Sequence, residues 1–189
     1  AILPDAGRDK RGWGGKGIIM PNHVINELIF NGVDADQQSA IIAAACDAEG
    51  NVDFAILVPP PLNIWMGSCG TAHEKAFGDT GLDWGRRNWG TKWNAYSHQP
   101  IERTPDTITL RFETAWSPPY PWLAAILNKL SLPFAHNWLD EGASRGRAGS
   151  FLITEKWGPE WSEAEADDTL HRHLHKLHWG VEEFEDEEA

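Results

Sequence analysis

The order in which strand and helix patterns follow one another most constrains the fold of this chain. Val24, Leu28 and Phe30 lie on one face of an alternating segment, which predicts a first strand. A helix pattern follows, with Asp34 at its N-cap and Gln37 three residues later in the capping-box position. Residues 52–58 alternate again and predict a second strand, so that this part of the chain forms a βαβ unit.

A second succession of strand and helix patterns lies further along the chain. Residues 108–113 alternate between apolar and polar and predict a strand. Ser117 and Pro118 suit the N-cap and the first position of the helix that follows. Residues 134–138 and 151–154 predict two more strands. The order predicts an α+β fold, a ferredoxin-like split βαβ sandwich in which an antiparallel sheet carries two helices on one face.

Composition divides the chain into three segments. They are a flexible, basic, Gly-rich arm at 1–19, the ferredoxin-like domain at 20–159 with a Trp-rich insertion at 62–105, and a C-terminal helix with an acidic tail at 160–189. Ser162 and Glu165 form a capping box that predicts where the last helix begins.

Negative charge is concentrated at the C-terminal end. The net charge is −12, and residues 160–189 account for −9 of it, with eleven Asp and Glu against two Lys and Arg. Such a surface repels phosphate, which disfavours direct binding of duplex DNA, and attracts a basic nucleic-acid-binding protein. A solvated tail without a partner is the alternative interpretation. The predicted partner-binding residues are Asp167, Asp168, Glu182, Glu183, Glu185 and Asp186.

Tryptophan is unusually frequent, with eleven in 189 residues. Trp84, Trp89 and Trp93 fall in one short motif with Lys92, and aromatic rings mixed with basic side chains are typical of single-strand nucleic-acid binders. The sequence therefore allows an aromatic platform for single-stranded nucleic acid. The alternative, which we favour, is that these rings pack the insertion onto the sheet, with Gly90 permitting a close approach.

Histidines in the last helix offer a weak metal-site hypothesis. His171, His175 and His178 lie on one helical face, and the i, i+4 spacing allows two imidazoles to reach one Zn²⁺ or Ni²⁺. The alternative is a surface helix whose histidines complement the negative end of the helix dipole.

Catalytic patterns are absent from the sequence. A phosphate-binding glycine loop and a nucleophile elbow are both missing, and Glu113 and Asp83 are possible paired carboxylates that nothing in the sequence brings together. We therefore expect a protein without enzymatic activity and without a cofactor. Two unpatterned cysteines, and apolar runs far short of the roughly 20 residues that span a bilayer, predict a cytoplasmic protein without a membrane segment.

Four motifs together resemble a known family. They are Met20-Pro-Asn-His-Val24, Gly81-Leu-Asp-Trp84, Asn88-Trp-Gly-Thr-Lys-Trp-Asn94 and Phe112-Glu-Thr-Ala-Trp-Ser-Pro-Pro119. Over residues 20–155 the chain resembles the YubB-like proteins of phages and conjugative plasmids. The resemblance implies a ferredoxin-like domain and an origin on a mobile element, and it implies no catalytic residues. Combined with the acidic charge, it predicts an accessory protein that binds and inhibits a host or defence protein, as an anti-CRISPR-type inhibitor does.

Overall fold

A six-stranded antiparallel sheet organises the protein. The computed structural model describes residues 22–66, 72, 75, 76, 78, 80–141, 147–154, 164, 165 and 167–181. The predicted arm at 1–19 and the end of the acidic tail lie outside the described residues. The elements in chain order are β1 His23–Asn31, α1 Ala35–Ala45, α2 Phe54–Leu57, α3 Gly81–Asn88, β2 Glu102–Arg103, β3 Thr107–Ala115, α4 Tyr120–Leu130, β4 Phe134–Asp140, β5 Arg147–Ile153, β6 Ala164–Glu165 and α5 Asp168–Trp179.

The sheet has the strand order β2-β3-β1-β4-β5-β6. The central strand β1 pairs antiparallel with β3 on one side and with β4 on the other. β3 and β4 therefore run parallel to each other, and α4 connects them across β1, which is a split βαβ unit. The predicted α+β ferredoxin-like fold with an antiparallel sheet is confirmed.

The two faces of the sheet carry different helices because side chains alternate along β1. Val24 and Leu28 belong to the main core, together with residues of α1, α2, α3 and α4. Ile25 points to the opposite face, where it packs with Leu139 and with Leu174 of α5. The C-terminal helix thus covers the face that the other helices leave open. Among the described residues, no helix is long and apolar enough to cross a membrane.

The prediction of a strand at 52–58 is wrong. Val52 forms only an isolated bridge with Cys46, and the next residues form the single turn α2. The side chain of Asp53 accepts a hydrogen bond from the amide of Ala55 and so caps that turn. The amide of Phe54 donates to Asn94 Oδ1 at 2.8 Å instead of to a neighbouring strand. The partner of β1 is therefore β3, which lies more than seventy residues along the chain.

Two helices begin later than predicted, whereas the capping box of Asp34 and Gln37 at α1 is confirmed. Helix α4 has Pro119 as its N-cap, because the hydroxyl of Ser117 donates instead to the carbonyl of Gly90 at 2.6 Å. Helix α5 begins at Asp168. Its N-cap is Asp167, whose carboxylate accepts the amide of Leu170 at 2.8 Å. Of the predicted capping box, Glu165 lies in β6 and Ser162 lies outside the described residues.

Candidate functional site

The tryptophan motif forms part of the main core. Trp84 and Trp89 are 8% and 2% exposed, and their rings meet edge to face at 5.1 Å between centroids. The indole nitrogen of Trp89 donates to the carbonyl of Val58 at 2.9 Å. Only Trp93 is exposed, at 38%, with the ammonium of Lys92 4.7 Å from the centre of its ring. The structure does not display the three rings as one platform, because two of them are buried in the main core, where the ring of Trp89 also lies 5.8 Å from that of Phe54 in α2.

The glycine of this motif permits the close packing that we favoured. Gly90 has φ of 88°, and a Cβ at this position would collide with the ring of Pro121. The hydroxyl of Thr91 donates to the carbonyl of Ala115 at 2.8 Å, which joins the motif to the end of β3. Any larger residue at position 90 would separate these segments.

The histidines of α5 do not converge on a common point. His175 is buried, its Nδ1 donates to the carbonyl of Val181 at 2.9 Å, and its ring stacks on Trp179 with centroids 4.3 Å apart. His171 stacks against His175 at 6.5 Å, and His178 instead contacts two glutamates of the sheet. Within the part of the chain that the structure describes, no three His, Cys, Asp or Glu residues are arranged to hold a metal ion. The three histidines therefore do not meet at one point, and the metal site stays a prediction.

Five titratable side chains from five parts of the fold meet at one end of the sheet, and we call them the His–Glu cluster. They are His23 at the start of β1, Tyr96 in the loop after α3, Glu113 of β3, Glu141 after β4 and His178 in the last turn of α5. Their positions follow from strand pairing, since His23 lies opposite Ala115 of β3, and its carbonyl accepts the amide of Glu141 at 3.0 Å.

The imidazole of His178 lies between the two carboxylates of this cluster. Its Nδ1 is 2.8 Å from Glu113 Oε1, and its Nε2 is 3.3 Å from Glu141 Oε2. His23 Nδ1 is 2.8 Å from the hydroxyl of Tyr96 and 3.5 Å from Glu113 Oε2. The amide of His23 donates to Glu141 Oε1 at 2.7 Å. The end of α5 is thereby attached to three strands of the sheet.

Charges within the cluster change its acid–base behaviour. The hydrogen bond with Glu113 raises the pKa of His178, and this effect exceeds the opposing effect of burial. Burial by itself would raise the pKa of Glu113, but hydrogen bonds from His178 and Ser97, with the charges of the histidines, bring it below its usual value. Burial and the two nearby carboxylates raise the pKa of Tyr96. Compared with the free side chains, the cluster therefore favours the ionised form of Glu113 and the protonated form of His178.

A second polar network lies under the middle of α5. Glu27 is 1% exposed and accepts hydrogen bonds from Arg111 at 2.8 Å and Asn137 at 2.9 Å. His173 Nε2 lies 3.0 Å from the same carboxylate, and Arg111 also pairs with Glu102 at 2.6 Å. Burial would raise the pKa of Glu27, but these hydrogen bonds hold it below its usual value. Helix α5 thus contacts the sheet through two carboxylate networks on either side of Leu174.

Sequence reasoning found only part of these networks. It considered Glu113 and His178, and it named Asp83 as a possible partner of Glu113 that nothing in the sequence brings close. The carboxylate of Asp83 contacts Thr80 at 3.0 Å and Arg86 at 3.5 Å. It missed Glu27, a charged residue inside the otherwise largely apolar strand β1. Glu27 lies directly opposite Arg111 in one strand pair and Asn137 in the other, a relation that appears only once the register is known.

The predicted partner-binding acids divide into two groups. Asp167 and Asp168 are exposed at the start of α5, where negative charge also suits the positive end of the helix dipole. The other predicted residues, Glu182, Glu183, Glu185 and Asp186, lie outside the described residues.

We expect the attachment of α5 to depend on pH in both directions. The stabilisation from His178 is complete below its unfolded pKa of 6.5 and is lost as pH rises through its raised folded pKa. The stabilisation from Glu113 is complete above its unfolded pKa of 4.5 and is lost as pH falls through its lowered folded pKa. Amide hydrogen exchange in α5, corrected for intrinsic rates, should therefore be slowest between these limits. His178→Gln should abolish the increase in exchange at alkaline pH. If this increase is unchanged in the variant, it arises from another group.

The sheet topology and its helices define the class of this protein as an α+β protein with a ferredoxin-like domain. Residues 88–171 match the family model of the ferredoxin-like domain in Api92-like protein. That segment runs from the end of α3 through β2–β6 to the beginning of α5, while β1, α1 and α2 precede it. No curated protein and no solved structure gives a significant match to the chain.

Proposed function

We propose that this chain is a non-enzymatic accessory protein of a phage or conjugative plasmid, as its resemblance to the YubB-like proteins suggests. It acts in the bacterial cytoplasm, where it binds a basic nucleic-acid-binding host or defence protein and blocks its nucleic-acid groove. Inhibition of a CRISPR effector is one form of this activity. The acidic C-terminal region imitates the charge of nucleic acid and directs the encounter.

The observation that carries this proposal is the placement of negative charge. Residues 160–189 have a net charge of −9, and Asp167 and Asp168 are exposed at the start of α5. The features behind the other two hypotheses are engaged internally: Trp84 and Trp89 pack in the core, and His178 binds glutamates of the sheet. Contact through Asp167 and Asp168 does not require the core to open.

Capture from a nuclease-treated bacterial lysate tests the proposal. We expect the wild-type chain to retain a basic nucleic-acid-binding protein, identified by mass spectrometry. Reversal to lysine at the six predicted partner-binding acids should abolish that capture. It should lower the melting temperature by only a few degrees, because the N-cap hydrogen bond that Asp167 loses contributes about 1 kcal/mol. Reversal of Asp36 and Glu49, two exposed acids elsewhere, is the control and should leave capture intact. Equal capture by the six-position variant would refute the proposal, and partners lost on nuclease treatment would favour nucleic-acid binding instead.

A further inference from the structure

A continuous row of rings crosses the sheet end that carries the His–Glu cluster. The ring centroids of Trp93 and Tyr96 are 6.5 Å apart, those of Tyr96 and His23 are 5.5 Å apart, and those of His23 and His178 are 6.3 Å apart. The row ends at Trp179, whose ring lies 4.2 Å from that of His178. The two end rings are exposed, Trp93 at 38% and Trp179 at 41%.

A third exposed tryptophan stands beside this row in a strained conformation. Trp116 is 42% exposed and has φ of 74°, which is rare for a bulky side chain and strains the backbone. Its amide donates to the carbonyl of Asn22 at 2.9 Å, so it adjoins the start of β1. The hydroxyl of Thr114 donates to the carbonyl of Ser117, and this contact holds the turn on the other side. The fold thus maintains an exposed indole at this position against its backbone preference.

Carboxylates lie among these exposed rings. Glu113 and Glu141 have side chains that are 14% and 27% exposed, and both contact His23 and His178. Aromatic faces next to carboxylates suit a cation, and they suit guanidinium best because it stacks on indole and pairs with a carboxylate. Lys92 already places its ammonium over Trp93. Phosphate would be repelled by the same carboxylates.

We propose that the exposed tryptophans Trp93, Trp116 and Trp179, together with Glu113 and Glu141, form a second contact surface that binds arginine side chains of the basic partner. This inference rests on the proposed function and adds specificity to it. The acidic C-terminal region supplies long-range attraction, whereas this surface supplies the short-range contacts that distinguish an arginine-rich groove from any other basic protein.

The substitution Trp116→Gly separates binding from folding. Glycine adopts φ of 74° without strain, and this relief offsets part of the packing lost with a ring that is 42% exposed, so we expect the variant to fold with a melting temperature within several degrees of wild type. The probe is a nine-residue arginine peptide, and its affinity is measured by calorimetry at low salt. We expect Trp116→Gly and Trp93→Ala each to weaken binding about fivefold to tenfold. The matched control is Trp65→Ala, which removes another exposed indole, 68% exposed, and should leave the affinity unchanged.

The outcomes distinguish this surface from the acidic region. Loss of affinity in both the tryptophan variants and the six-position charge variant supports both contacts. Loss in the charge variant alone overturns the second surface and leaves the proposed function in place. Loss of affinity in the tryptophan variants alone supports the surface and contradicts the role of the acidic region. If no variant loses affinity, both the surface and the role of the acidic region are overturned. A thymidine oligonucleotide that binds wild type more tightly than the arginine peptide, and loses affinity in Trp116→Gly, would overturn the arginine assignment in favour of bases.

Discussion

Trp122→Ala is expected to lower the free energy of unfolding by about 3–5 kcal/mol, the usual cost of truncating a large buried aromatic side chain. Trp122 is fully buried in α4, and its ring lies 4.6 Å from Phe54 and 6.0 Å from Phe112 between centroids. It therefore joins α2 and α4 to β3, and its loss leaves a cavity at the centre of the main core. Urea unfolding, followed by far-ultraviolet circular dichroism, measures this change.

Two controls make that expectation specific. The indole nitrogen of Trp122 is buried without a hydrogen-bond partner among the described residues, so Trp122→Phe forfeits no hydrogen bond and should cost much less than alanine. Trp65→Ala removes a ring that is 68% exposed and should change stability by less than about 0.5 kcal/mol. Equal losses for Trp122→Ala and Trp65→Ala would mean that the core is not centred on α4.

Glu27→Ala is the second substitution with a large expected effect, a loss of about 3–5 kcal/mol. Glu27 is 1% exposed, and its removal leaves Arg111 and Asn137 without the carboxylate that they share under α5. The cost comes mainly from these buried groups, because removal of one partner of a buried ion pair leaves the other charge poorly compensated. Urea unfolding gives the magnitude, and hydrogen exchange should show the largest loss of protection in β1 and α5.

Glu102→Ala is the matched control for this network. It also removes a carboxylate paired with Arg111, at 2.6 Å, but its side chain is 64% exposed. We expect its loss to cost no more than about 1 kcal/mol. If both glutamates cost the same, burial does not determine the strength of this network.

The sequence was sufficient for those elements whose signals are local. The alternation of residues 108–113 and the capping box at Asp34 concern neighbouring residues, and both features form as predicted. Residues 52–58 show the limit of such signals, because the same alternation suits a strand and a single helical turn. The deciding contact is the hydrogen bond from the amide of Phe54 to Asn94, forty residues away.

The candidate site is harder to predict because it depends on register. Glu113, Glu141 and His178 become neighbours only when β3 and β4 both flank β1 and when α5 covers the second face. The spacing of His171, His175 and His178 in α5 predicted a shared metal site, and helical geometry does put the three residues on one face. In the folded protein His178 instead contacts Glu113 and Glu141, and the sequence of α5 alone does not predict this contact.

The most direct test of the proposed function is the association rate of the captured partner as ionic strength changes. We predict that the wild-type chain associates rapidly at low salt and slows as salt screens its acidic C-terminal region. The chain with neutral side chains at Asp167, Asp168, Glu182, Glu183, Glu185 and Asp186 should associate slowly at every salt concentration. Identical rates and identical salt dependence in the two chains would contradict binding by the acidic region.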